Sequence, residues 1–206
     1  MRENFSSNSL IFYKHMDIKI KKYLYGEKYM MDTIEQIIKR NKFMTLKHNV
    51  DITEDPDIDV IIHQCNCFHV MGGGVAAALS QKWPQVYQAD LCTEKGDKKK
   101  LGTYSCACIG NDDQHEELFI FNLYSQYTFG GELETNYDAM KKGLIDIFRF
   151  LSRSNPIGHD TWRVGIPYLI GCGLAGGDSK TVIDIIIDSY NEVNPKNITI
   201  IFDSLN

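Results

Sequence analysis

From Phe43 onward the apolar positions change period several times, and each change marks an element. Met44 to Val50 reads as a strand, Asp55-Pro56 as a turn, and Asp59 to Cys65 as a buried strand with an almost unbroken apolar run. Val75 to about Cys92 then reads as a helix. Leu101 to Ile109 and Leu118 to Tyr124 are two further strands, joined by the polar turn Gly110-Asn111-Asp112-Asp113. Asn136 to Ser152 sets Tyr137, Met140, Leu144, Ile147, Phe148 and Leu151 on one helical stripe. Beyond the loop at Pro156, Arg163 to Ile166 is a short strand. Asp178 or Ser179 caps a helix running to about Glu192, and Ile198 to Phe202 is a last strand. Six strands with helices between them predict a three-layer α/β/α domain on a mixed, mostly parallel six-stranded sheet.

Residues 1–42 follow a different pattern. Met1 to Ser9 is polar, His15 to Met31 is rich in Lys and Tyr, and Ile34, Ile37 and Ile38 fall at helical spacing after the possible cap Asp32. This predicts an N-terminal extension with one amphipathic helix, followed by a domain over 43–206. With 206 residues, 43% hydrophobic and 24% charged, the chain is long enough for one well-buried core plus that appendage.

The formal net charge of -5 argues against a general nucleic-acid binder, which needs a dense basic face. Lys98, Lys99 and Lys100 form the one tight basic run, and they read as a solvated loop after Gly96-Asp97. The six cysteines come without a secretory signal, so a reducing, cytoplasmic compartment is expected. Their two CxC pairs, Cys65/Cys67 and Cys106/Cys108, suit buried strands better than a zinc site, where CxxC is usual. No apolar run approaches the ~20 residues of a membrane span, so no membrane partner is expected. Oligomeric state is not readable.

The stretch from Ile61 to Asp90 carries the chemistry. It runs strand, polar turn, the glycines Gly72, Gly73 and Gly74, then helix, which is the layout of an anion site at a helix N-terminus. Neither GxGxxG nor GxxxxGK[ST] is present there. A second glycine turn, Gly171 to Gly173, also follows a strand-like run. In an open α/β sheet both turns lie at the carboxyl ends of strands, where they line one cleft and suit a ligand with two phosphates.

Four segments together resemble the macro domain family. They are Val50-Asp51-Ile52, His63-Gln64-Cys65-Asn66, Gly72-Gly73-Gly74-Val75-Ala76 and Gly171-Cys172-Gly173-Leu174, in matching order from about residue 44 to the end. The resemblance implies an ADP-ribose site. Asp51 would accept from the adenine amino group with the Ile52 main chain alongside. Gly72, Gly73, Gly74 and Val75, with Gly171, Cys172, Gly173 and Leu174, would wrap the diphosphate, Asn66 would hold the distal ribose, and Phe202 would pack on adenine. The residues alone also allow plainer roles. Asp51 can cap its own turn, Asn66 can stabilise its loop, and Phe202 can be core.

Within that family the segment HQCNCFHVMGGGVAAAL looks closest to the ADP-ribose 1″-phosphate phosphatase branch. Leu101-Gly102 and the Phe129-Gly130-Gly131 turn resemble it as well. Related hydrolases that remove ADP-ribose from glutamate resemble this chain at Ile170 to Leu174, but Gln126 stands where they carry lysine and Ala175 where they carry aspartate. Another hydrolase group carries an aspartate where this chain has Ala76. The resemblance therefore implies hydrolysis of ADP-ribose 1″-phosphate, a product of tRNA splicing, without cofactor or required metal. His63 would act as general acid or base and Asn66 would orient the ribose. His63 also suits a satisfied histidine at the end of a buried strand. A de-ADP-ribosylating hydrolase acting on protein carboxylates and a non-catalytic ADP-ribose reader are the alternatives.

Overall fold

The central strands of the domain's one sheet are buried on both faces and need cover on both, whereas the edge strands are partly exposed. In the computed structural model, which describes residues 34–110, 117–156 and 158–204, the strands are β1 (Met44–His48), β2 (Val60–Asn66), β3 (Tyr104–Cys108), β4 (Phe119–Gln126), β5 (Trp162–Pro167) and β6 (Ile198–Ser204). Their order is β1-β6-β5-β2-β4-β3. Every pairing is parallel except β3 with β4, which run antiparallel. The fold is the expected three-layer α/β/α sandwich on a mixed sheet.

The topology explains where a ligand can sit. β2 and β5 are neighbours, so the loops leaving their carboxyl ends face one another. Those loops carry the two glycine turns.

The helices are α1 (Gly74–Lys82), α2 (Pro84–Leu91), α3 (Tyr137–Leu151) and α4 (Ser179–Val193). The single helix expected from Val75 to Cys92 is in fact two. Trp83 is extended, with φ -127 and ψ 93, because a residue before proline avoids the helical region, and Pro84 then opens α2 at its first position. Leu79, Trp83 and Val86 bury against Ile61, Cys65, Ile120 and Ile201 on that side of the sheet. On α3 the expected stripe is buried except for the half-buried Tyr137, with Asn136 capping through Ala139 N–H at 2.9 Å. The cap of α4 is Asp178, which accepts from Thr181 N–H at 2.8 Å, and its end is Asn194 in the left-handed region at φ 49.

Lys98–Lys100 corrects a second expectation. The run forms a 3-10 turn capped by Asp97, and Lys100 is only 6% exposed rather than solvated.

The chain divides into two units, Met1–Arg40 and Asn41–Asn206. Within the first, residues 34–40 are helical. The expectations for residues 1–33 and for the turn residues Asn111 to Asp113 fall outside the described residues. Among the described residues no helix is long and apolar enough to cross a membrane.

Gly143 sits where α3 crosses β4, and a Cβ there would lie 2.2 Å from Leu123 Cδ1. Gly143→Val is expected to cost about 1–3 kcal/mol through overpacking, read as a lower urea midpoint at unchanged slope.

Candidate functional site

Helix α1 begins without a side-chain cap. Gly73 is its N-cap, Gly74 enters the helix at φ 57, and the first helical bond runs from Ala77 N–H to Gly73 O at 3.3 Å. The N–H groups of Gly74, Val75 and Ala76 therefore precede the helical ladder and carry the positive end of the helix dipole. Opposite them, the second turn is folded by its own carbonyls. Cys172 N–H bonds Leu169 O at 2.9 Å, Gly176 N–H bonds Gly173 O at 3.0 Å, and Gly177 N–H bonds Gly171 O at 2.8 Å. Those bonds leave the N–H groups of Gly173, Leu174 and Ala175 over. Leu174 Cδ1 reaches across to lie 3.0 Å from where a Cβ on Gly73 would be.

Between the turns lies a cleft of about 740 Å³, within the range of small-molecule sites. Gly72 to Ala76 form one wall, Pro167 to Ala175 the other, and Gln64, Asn66, Val70, Gln126, Phe129 and Gly130 complete it with His63 at the border. Among the described residues that line it, none is Lys, Arg, Asp or Glu. No group of three or more His, Cys, Asp or Glu among the described residues is placed to hold a metal. Burial pushes the Cys172 thiol up to about 12, so it is protonated and not a nucleophile near neutral pH.

Asn66 is 6% exposed and latches its own loop. Its Nδ2 donates to Val70 O at 2.7 Å, and its Oδ1 accepts from Phe68 N–H at 2.9 Å and Val70 N–H at 3.3 Å. Gln64 Nε2 donates to Ser125 Oγ and Thr135 Oγ1, each at 3.1 Å, and Thr135 Oγ1 donates to Gly171 O at 2.7 Å. That chain ties the second turn to β2.

No family model matches the chain. An uncharacterized 17.5 kDa protein of enterobacteria phage T4 is 34% identical over 134 residues, which are 64% of this chain and 79% of that protein. The ADP-ribose 1″-phosphate phosphatase of Debaryomyces hansenii is 29% identical over 102 residues, 42% of this chain and 57% of the yeast protein. Among solved structures, the macrodomain of Mycobacterium tuberculosis DarG superposes with a TM-score of 0.59 at 17% identity, covering 77% of this chain and 97% of that one. The chain is a relative of that phage protein and has the macrodomain fold. Thermosipho africanus DarTG, solved in complex with ADP-ribose, superposes with a TM-score of 0.51 at 16% identity over 72% of this chain and 39% of that one.

Several residues marked in the sequence lie elsewhere in this fold than expected. Asp51 Oδ1 accepts from Thr53 N–H at 2.8 Å, capping its own turn, and neither Asp51 nor Ile52 lines the cleft. Phe202 is fully buried between Ile166 and Leu46 in the sheet register, so it has no free face for a base. His63 borders the cleft yet is 1% exposed. Its Nε2 lies 2.7 Å from Asn122 Oδ1. Both Asn122 amide hydrogens are committed, to Val86 O and Ser105 Oγ at 2.9 Å each, so Oδ1 is the acceptor and His63 Nε2 carries the proton. Burial pushes the imidazole down to about 4, against partial support from Asn122 and the Asp90 charge. A neutral, enclosed ring that donates to the core does not serve as an acid near neutral pH. The general acid or base role expected of His63 is not one this geometry provides.

Tyr168 and Leu169 were not marked in the sequence as site residues. They follow β5 at its carboxyl end, which is the signal that places them in the cleft wall.

Asp203, at the end of β6 and paired with Pro167 of the cleft wall, is 5% exposed, and neither carboxylate oxygen has a hydrogen-bond partner among the described residues. Burial first, then the Asp55 and Asp51 charges, raise it from 3.8 to about 7 against the pull of Lys47. The folded state thus binds this proton more tightly than the unfolded chain, and stability falls as pH rises through about 7. Asp203→Asn should raise the melting temperature at pH 8 by about 2 °C or more and by less at pH 5. His63 has the opposite sign. Its contribution is complete above 6.5 and fades as pH falls toward about 4. The His63 imidazole resonances are expected to stay unshifted from pH 8 to 5.5, and His63→Ala should cost about 1–3 kcal/mol of folding stability by leaving Asn122 Oδ1 with only the weak Cys65 thiol donor.

Proposed function

We propose that the cleft binds ADP-ribose and hydrolyses ADP-ribose 1″-phosphate to ADP-ribose and inorganic phosphate. The observation that carries the binding step is the pair of facing glycine turns with main-chain N–H groups outside any internal bond. A diphosphate held by amides and a helix N-terminus needs no basic side chain, which reconciles an anionic ligand with a net charge of -5. The Thermosipho africanus structure solved with ADP-ribose and the Debaryomyces hansenii phosphatase similar to this chain support this ligand and this reaction.

The chemistry this cleft offers is positioning and charge stabilisation. Gly74 to Ala76 and Gly173 to Ala175 hold the diphosphate from both sides, and the second hydrogen on Asn66 Nδ2 remains for a ribose hydroxyl. Phosphoryl transfer to water asks little more than in-line placement and donors aimed at the phosphoryl oxygens. Asp51 and Phe202 stand outside this reading, and so does His63.

A reader without chemistry is the second reading. It is favoured by the lining itself, in which His63, Tyr168 and Cys172 are the titratable side chains among the described residues. Phosphate release from ADP-ribose 1″-phosphate, measured beside release of ADP-ribose from a carboxylate-modified protein, separates the readings. Release from the first substrate alone is expected. Binding with no release from either would leave the reader.

Gly73 has φ -150, an extended conformation open to any residue, and a Cβ there meets only the end of the Leu174 side chain. Gly73→Glu should therefore fold normally while placing a carboxylate in the diphosphate path. ADP-ribose affinity is expected to fall at least about 100-fold by calorimetry, with the melting temperature kept within about 2 °C. Unchanged affinity would remove this turn from the site.

A further inference from the structure

Behind the first glycine turn lies a buried ion pair that no cleft residue includes. Lys100 Nζ donates to Asp90 Oδ1 at 3.1 Å and to Cys67 O at 3.4 Å, and stands 4.2 Å above the Tyr124 ring. Asp90 Oδ1 also accepts from Tyr124 O–H at 2.9 Å. The two charged residues are 6% and 1% exposed. His69 Nε2 lies 3.7 Å from the same oxygen and 3.2 Å from Thr93 Oγ1. His69 itself holds the left-handed conformation at φ 59, which a non-glycine residue keeps only when its surroundings enforce it.

Stability alone does not explain this arrangement. Burying both charges costs their hydration, and a neutral pair of similar size would hold the core as well. What the pair grips is informative. Its cation holds Cys67 and its anion lies against His69, the residues that lead from β2 into Gly72. From the other side Asn66 latches Phe68 and Val70. Three consecutive glycines have no side chains with which to fix themselves, so their geometry is inherited from these anchors.

We propose that Lys100 and Asp90 are positioning residues for the anion-binding turn. They clamp Cys67 to His69 so that the N–H groups at the start of α1 stay aimed into the cleft, and they touch no ligand themselves. The effect on affinity rests on the ADP-ribose reading given above, whereas the effect on the turn does not.

The test compares the native chain with Lys100→Met and with Lys100→Met/Asp90→Asn, by melting temperature, calorimetry with ADP-ribose, and amide hydrogen exchange without ligand. Lys100→Met leaves a buried carboxylate unpaired and should lower both melting temperature and affinity. The double variant removes the unpaired charge and should recover most of the melting temperature while still binding ADP-ribose about tenfold more weakly. In both variants amides from Cys67 to Ala76 should exchange faster, with those of β4 unchanged. Recovery of native affinity together with melting temperature in the double variant would overturn the proposal, and so would native exchange over the turn. If the native chain fails to bind ADP-ribose, the functional reading falls, and the exchange rates alone still decide whether the pair positions the turn.

Discussion

Main-chain N–H groups bind an anion well only when they are already in place, because each is a partial charge and none can follow a ligand that moves. The cleft depends on that constraint. Helix α1 starts without a side-chain cap, its N-cap is a glycine, and the residue after it enters the helix from the left-handed region. A side chain that capped α1 would occupy the donors the cleft presents. Gln64 on β2 and Thr135 in the segment ahead of α3 brace the second turn, as Asn66 braces the first.

The same side of the sheet carries a connected polar network. It runs from His63 through Asn122 to Ser105 and Tyr124, and from there to Asp90 and Lys100. Such networks are costly when half satisfied and specific when complete, since every member has a direction. Here one end lies on β2 itself and the other behind the glycine turn. Among the described residues Asp90 Oδ2 and both oxygens of Asp203 are left without partners, and the Asp203 carboxyl responds with a raised pKa. These are the places where folding stability has been given up.

Sequence periodicity located the six strands, the helices α3 and α4 and both glycine turns, because apolar spacing and turn chemistry are local properties. It did not separate α1 from α2, although Pro84 carried the signal. It also read Lys100 as solvated, because a lysine run looks alike whether its third member points out or in.

His63 shows the limit most clearly. Its place in a strand that leads to a glycine turn was legible, and so were its two possible roles. Which role holds depends on Asn122, a residue 59 positions away that β4 brings alongside, and on α2 closing over both. The chain by itself determined the elements, their order and the glycines that allow close approach to an anion, since these follow from near neighbours. Only the tertiary structure decided which polar groups face the cleft and which are consumed in the core, because in a sheet that choice is made by strand pairing and by the helices packed above it.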